Sequence, residues 1–149
     1  RDIGGMDYLM ATLDESLRCI APSGGGARMC SHDVTISGYT IPKGWVITAD
    51  PRIANTLTET FGNDIDAFNP DRFLQRKYKA DEFFPGGTGS HQCPGISLAK
   101  TAAATYILAF LERFESWSQI EGTEEQWNYI PFVCMTDFPV NLVGRRAAA

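Results

Sequence analysis

The residues of this sequence best equipped for chemistry lie between Phe84 and Lys100, where Phe-Pro-Gly-Gly-Thr-Gly-Ser-His-Gln-Cys-Pro-Gly leads into Ile-Ser-Leu-Ala-Lys. Gly86, Gly87, Gly89 and Gly95 tolerate positive φ and carry no Cβ, so the backbone here can lie flat against a bulky partner. Pro94, with its preset φ and missing N–H, suits the first position of a helix. The N–H groups of Gly95 and Ile96 are then expected to point back toward Cys93. Unsatisfied donors and the positive end of a helix dipole favour a thiolate, which is either a metal ligand or a nucleophile.

A nucleophilic cysteine needs a base, and His91 is close enough along an extended loop to face the same way as Cys93. That use of the pair requires none of the glycines. A flat macrocycle lying on the loop does require them, and haem held by a single thiolate is such an arrangement.

The loop Gly89-Ser90-His91-Gln92-Cys93-Pro94-Gly95 resembles the cysteine-ligand loop of the cytochrome P-450 haem-thiolate enzymes, with matches at Gly89, His91, Cys93 and Gly95. Gly86 stands where that family usually has an aromatic residue, and Phe84 is the nearest aromatic before it. Two further motifs carry the same resemblance in the same order. Glu15-Ser16-Leu17-Arg18 is similar to the family's Glu-x-x-Arg helix, and Phe68-Asn69-Pro70-Asp71-Arg72-Phe73 to its Phe-x-Pro-x-Arg-Phe segment. Three such motifs are far more specific than any one.

The resemblance implies a fold class that is mainly α with small β-sheets (α+β), the C-terminal part of the cytochrome P-450 fold. Residues 1–149 would form a single incomplete domain, the last third of a haem-thiolate enzyme. It implies haem b ligated through Cys93, with His91 and Arg28 on the propionates and Gly86, Gly87, Gly89 and Gly95 lining the cofactor. Glu15, Arg18 and Arg72 would form a buried structural network. Gly24, Gly25, Gly26 and Met135 are the substrate-contact candidates. The implied reaction inserts one oxygen atom from dioxygen into an apolar organic substrate, with electrons from a reductase or ferredoxin. The Pro-Ser-Gly-Gly-Gly run at residues 22–26 is loosely similar to the sterol-, terpenoid- and retinoid-oxidising branches. Two other readings stand beside this one. One is a haem-thiolate peroxygenase or isomerase that needs no redox partner; the other is a non-catalytic, truncated haem-binding fragment.

Composition sets outer bounds. A chain of 149 residues, 44% of them hydrophobic, can bury one core. A net charge of −5 without a basic stripe argues against nucleic acid as a partner. The four cysteines, Cys19, Cys30, Cys93 and Cys134, have no zinc-type spacing and are too sparse for a disulfide scaffold. The expectation is a reducing compartment, the cytoplasm or the cytoplasmic face of a membrane. The apolar run Ala102–Leu111 is too short to span a bilayer, and a start at Arg1 without an initiator Met reads as a fragment. Membrane attachment of the full-length protein therefore stays open.

Around the loop, apolar spacing predicts an amphipathic helix over Met6–Cys19, in which Glu15 and Arg18 share a face. Ser37-Gly38 separates two strands, and Pro42-Lys43-Gly44 reads as a type I turn before a strand at Trp45–Thr48. Pro51–Leu57 could make a short helix. Arg72, Arg76, Lys77 and Lys79 form a basic cluster that could help dock an acidic electron donor. Gly95–Phe114 reads as a helix apolar nearly all round and hence buried. Glu115–Tyr129 reads as surface loop or short strand. Ile130–Val143 reads as a hairpin, with Cys134–Asp137 as a turn reaching the substrate.

Overall fold

A computed structural model describes residues 5–122, 127–129, 132–134 and 139–145. Met135 and most of the proposed 134–137 turn lie outside the described residues. The order of elements is α1 (Asp7–Cys19), β1 (Ala27–Met29), β2 (Val34–Ile36), β3 (Tyr39–Ile41), β4 (Val46–Thr48), α2 (Pro51–Ala54), α3 (Thr58–Phe61), α4 (Asp71–Gln75), α5 (Ile96–Arg113), β5 (Phe114–Gln119), β6 (Trp127–Tyr129), β7 (Phe132–Cys134) and β8 (Val140–Gly144). Among the described residues, helices lead to and from the cysteine loop and four two-stranded antiparallel sheets accompany them, the mainly α, α+β arrangement expected.

The β2–β3 hairpin turns through Ser37 (φ 49°) and Gly38 (φ 83°). Positive φ at both central residues is the twist that closes a two-residue hairpin. The next turn differs from expectation by one residue. Trp45 N donates to the Pro42 carbonyl, so Gly44, at φ 86°, occupies the third position rather than the fourth. That position requires positive φ in a type II turn, which is where a glycine has most effect. β4 pairs with β1 rather than with the hairpin, matching Arg28 with Ile47.

The end of the chain is nested instead of forming one hairpin. β6 pairs with β7, while β8 returns to β5, matching Ser116 with Val143 and Gln119 with Val140. Of the surface loop or short strand expected after α5, the structure has the strand, six residues long. Pairing over that length satisfies backbone groups that a loop would leave to water.

Among the described residues, buried apolar ones are few: Ala11, Leu13, Ala21, Cys30, Phe61 and Ala104. Four described polar residues are buried as well, Glu15, Arg18, Asn55 and Arg72. α5 does not behave as a buried helix. Ala104 is fully covered, but Leu98 and Tyr106 are 73% and 71% exposed. An apolar helix of this kind needs neighbours on several sides, and its contacts among the described residues are mainly with α1 and β5.

Gly25 shows how tightly the 22–26 run is folded onto the chain itself. It has φ 84°, and a Cβ there would lie 2.1 Å from the Ala49 carbonyl oxygen. A Cβ at Gly24 would meet the Arg52 guanidinium at 2.6 Å, and one at Gly26 would meet that of Arg28 at 2.8 Å. The glycines thus serve a close internal approach whatever else they border. Gly25→Ala should destabilise the full-length protein by roughly 1–3 kcal/mol, read as a shift in the denaturant midpoint. An unchanged midpoint would mean that the approach to Ala49 is absent in solution.

Candidate functional site

The cysteine loop is built from short turns. Gly87 N donates to the Phe84 carbonyl, and Gly87 and Gly89 take φ of 77° and 69°. Gly89–His91 forms a single 3-10 turn. Cys93 N then donates to the Gly86 carbonyl at 2.7 Å, which closes the loop on itself. A Cβ at Gly86 would lie 3.3 Å from Cys93 Cβ and 3.4 Å from the Ile96 side chain. A larger residue would force these neighbours apart, so glycine here lets the 85–87 backbone lie against the cysteine.

The helix begins two residues later than Pro94 at its first position would give. Gly95 is the N-cap of α5, and Pro94 precedes it. Ile96 N–H faces the Cys93 carbonyl at 3.5 Å rather than the sulfur. The sulfur nevertheless lies at the head of the helix, since a Cβ on Gly95 would be 3.8 Å from Cys93 Sγ. Cys93 and His91 are both exposed, and a Cβ at Gly89 would meet nothing within 4 Å. An exposed sulfur edged by residues without side chains fits a broad, flat ligand held through a single thiolate. Arg28 lies on β1, where its Nη1 donates to the Ala27 carbonyl at 2.9 Å. It makes no hydrogen bond to the 84–95 loop among the described residues.

Behind the loop sits the buried polar cluster. Arg18 grips Glu15 with a two-pronged contact, Nε to Oε2 at 2.8 Å and Nη2 to Oε1 at 2.9 Å. Arg72 Nε reaches Glu15 Oε1 at 3.1 Å, and Asn69 N–H adds a fourth donor at 2.9 Å. Most of the remaining guanidinium hydrogen bonds go to carbonyls. Arg18 donates to Asn55, Ile65 and Ala67, and Arg72 to Phe61 and Asp64. Asp64 also pairs with Arg72 through its carboxylate at 3.2 Å. Burial pushes the Glu15 carboxyl up. The Arg18 hydrogen bond, the Asn69 N–H and the two arginine charges outweigh it and hold the carboxyl below its ordinary range. The Glu15 hydrogen bond, working against burial, raises Arg18. The sequence suggested the three charged members; Asn55, Asp64 and Asn69 join them only through the fold.

α1 links this cluster to the cysteine helix. Asp14, one residue before Glu15, forms an ion pair with Lys100 of α5. Between α1, α4 and the cysteine loop lies a groove of about 690 Å³. Phe73, Tyr78 and Phe83 contribute aromatic surface to it, Gly86 and Ile96 lie on the loop side, and Lys77 lines it too. The basic cluster is less uniform than its sequence implies. Arg72 is buried, and Arg76 is engaged with Glu82 at 2.5 Å and with the Tyr78 ring at 4.7 Å. Among the described residues no helix is long and apolar enough to cross a membrane.

Comparison with known proteins places these features. The chain is similar to taxoid 7-beta-hydroxylase of Taxus cuspidata, 31% identical over 97% of the chain and 29% of that protein. It is similar to beta-amyrin 11-oxidase of Glycyrrhiza uralensis, 37% identical over 76% of the chain and 23% of that protein. The chain therefore spans less than a third of the length of these relatives. In fold it matches a retinoic acid-bound cyanobacterial CYP120A1, with a TM-score of 0.86, 24% identity, and coverage of 96% of this chain and 34% of that one. The family model for cytochrome P-450 matches residues 1–136. With that match, and with the Glu15–Arg18–Arg72 cluster buried behind an exposed cysteine at the head of α5, this chain belongs to the cytochrome P-450 family.

Proposed function

We propose that the full-length protein is a haem-thiolate monooxygenase acting on an apolar, terpenoid-type substrate. Cys93 is the thiolate ligand, and the observation that carries this role is its exposed sulfur, set among glycines at the head of an 18-residue helix. When bound, haem supplies the activation of dioxygen. The chain's own residues do the rest. α5 fixes the direction of Cys93, and Gly86 closes the backbone over its rear. His91, exposed on the same loop, is the first candidate donor to a propionate. Arg28 is a second propionate candidate. The Gly24–Gly26 run, held against Ala49 and Arg52, borders the substrate space. The substrate class follows from the names of the taxoid and beta-amyrin relatives.

Electrons come from an external reductase or ferredoxin, which docks on the groove side of the loop where Lys77 lies. The experiment is turnover of a terpenoid substrate by the full-length protein with a reductase, with and without Lys77→Glu/Lys79→Glu. The expected result is reductase-dependent product, and a reduction rate in the variant that falls and loses its salt dependence. Product formed with peroxide alone would favour the partner-independent reading. An unchanged rate in the variant would remove the docking site.

A further inference from the structure

We propose that Asn55 is a positioning residue of the thiolate site, a member of the buried cluster that fixes Arg18 and the carbonyl end of α1. Asn55 follows the short helix α2 and is fully buried. Its Nδ2 donates to the Leu17 carbonyl at 3.4 Å and to the Arg18 carbonyl at 3.3 Å. These belong to the last turn of α1, where helix carbonyls have no partner within the helix. In return, the Asn55 backbone carbonyl accepts from Arg18 Nη1 at 3.1 Å. One residue thus receives the guanidinium and caps the helix that carries it.

The orientation of the amide is settled by chemistry. Turning it over would set Oδ1 against two carbonyl oxygens. As it stands, Oδ1 is a buried acceptor with no donor among the described residues. Such an acceptor costs stability, and an apolar residue would avoid the cost. What asparagine provides in return is the pair of donors to α1. α1 in turn bears Glu15 and Arg18 on the cluster side and Asp14, paired with Lys100, on the α5 side. Displacing its C-terminal turn would therefore tilt the support of the helix headed by Cys93.

The test uses the full-length, haem-loaded protein. Asn55→Leu keeps the bulk without the donors. Asn55→Asp keeps the shape and replaces the donors by an acceptor. Both are read by the ferrous–carbon monoxide spectrum well below the melting temperature, with melting measured separately. The expected result is a roughly tenfold fall in the ratio of thiolate-type to non-thiolate haem for both, the loss of a pair of buried hydrogen bonds. A merely structural residue would lower the melting temperature and leave that ratio alone, and this outcome overturns the proposal. Should Asn55→Asp not accumulate folded, Asn55→Ser, which shortens the reach without adding charge, gives the same two readings. The inference rests on the haem-thiolate reading, and the failures are distinguishable. No thiolate-type band in the unaltered protein sinks that reading, whereas a normal band shared by every variant sinks only the role of Asn55.

Discussion

Cys93→Ser in the full-length protein should abolish the thiolate-type absorption of the ferrous–carbon monoxide form and reduce turnover by more than about a hundredfold. That figure is a floor, because a residue that merely orients a metal ligand already changes affinity or activity by about 10–100-fold. A hydroxyl is close to the thiol in shape but is not ionised near neutral pH, so the sulfur's electron push is lost with little change in packing. Cys93 is exposed, and its neighbours Gly86 and Gly95 approach the cysteine through backbone. The variant should therefore fold as the parent does. A spectrum unchanged by the substitution would remove Cys93 from the site. Cys19 and Cys30 give the control: Cys30 is buried, and burial, ahead of the Arg18 charge, holds the Cys19 thiol above its ordinary range. Serine at either position should leave the spectrum intact.

Glu15→Gln should strongly destabilise the full-length protein. It removes the negative charge shared by Arg18 and Arg72 and sets an amide NH₂ against one of them. Breaking a buried ion pair from one side costs about 3–5 kcal/mol, because the remaining charge stays buried. The pH dependence adds a sharper reading. The Glu15 carboxyl sits below its ordinary range in the folded protein, against about 4.3 when unfolded. The unfolded state therefore binds the proton more readily as the pH falls. The contribution of Glu15 is fully present above the unfolded value and is lost as the pH drops through the folded one. Stability measured from about pH 6 to pH 3 should fall more steeply in the parent than in Glu15→Gln. Parallel curves would mean that Glu15 is not the ionised centre of the cluster.

The two predictions address the two parts of the site that differ most in how far sequence could reach them. The cysteine loop was legible because its chemistry is local. Glycines that open the backbone, a cysteine and the start of a helix all lie within one stretch, and the observed turns use them nearly in place. α1, the β2–β3 hairpin and α5 were legible for the same reason, since period and turn residues act over a few positions. The errors there are small: Pro94 stands before the helix and Gly44 one place earlier in its turn. The contacts of Arg76 with Glu82 and Tyr78 came only from the fold, because a run of basic residues looks alike in sequence whether or not its members are paired.

By itself, then, the sequence determined the local pieces: the glycine-flanked thiol, the Glu15–Arg18 spacing, the helix periods and the family they indicate. Tertiary structure decided what depends on distance across the chain. It buried Glu15 and Arg72, 57 residues apart, in one contact, and joined Asn55 to Arg18 and Asp14 to Lys100. It also returned β8 to β5 and left the apolar face of α5 at Leu98 and Tyr106 uncovered among the described residues. The physical reason is that propensity and spacing act within a few residues, whereas burial and charge pairing depend on which surfaces meet.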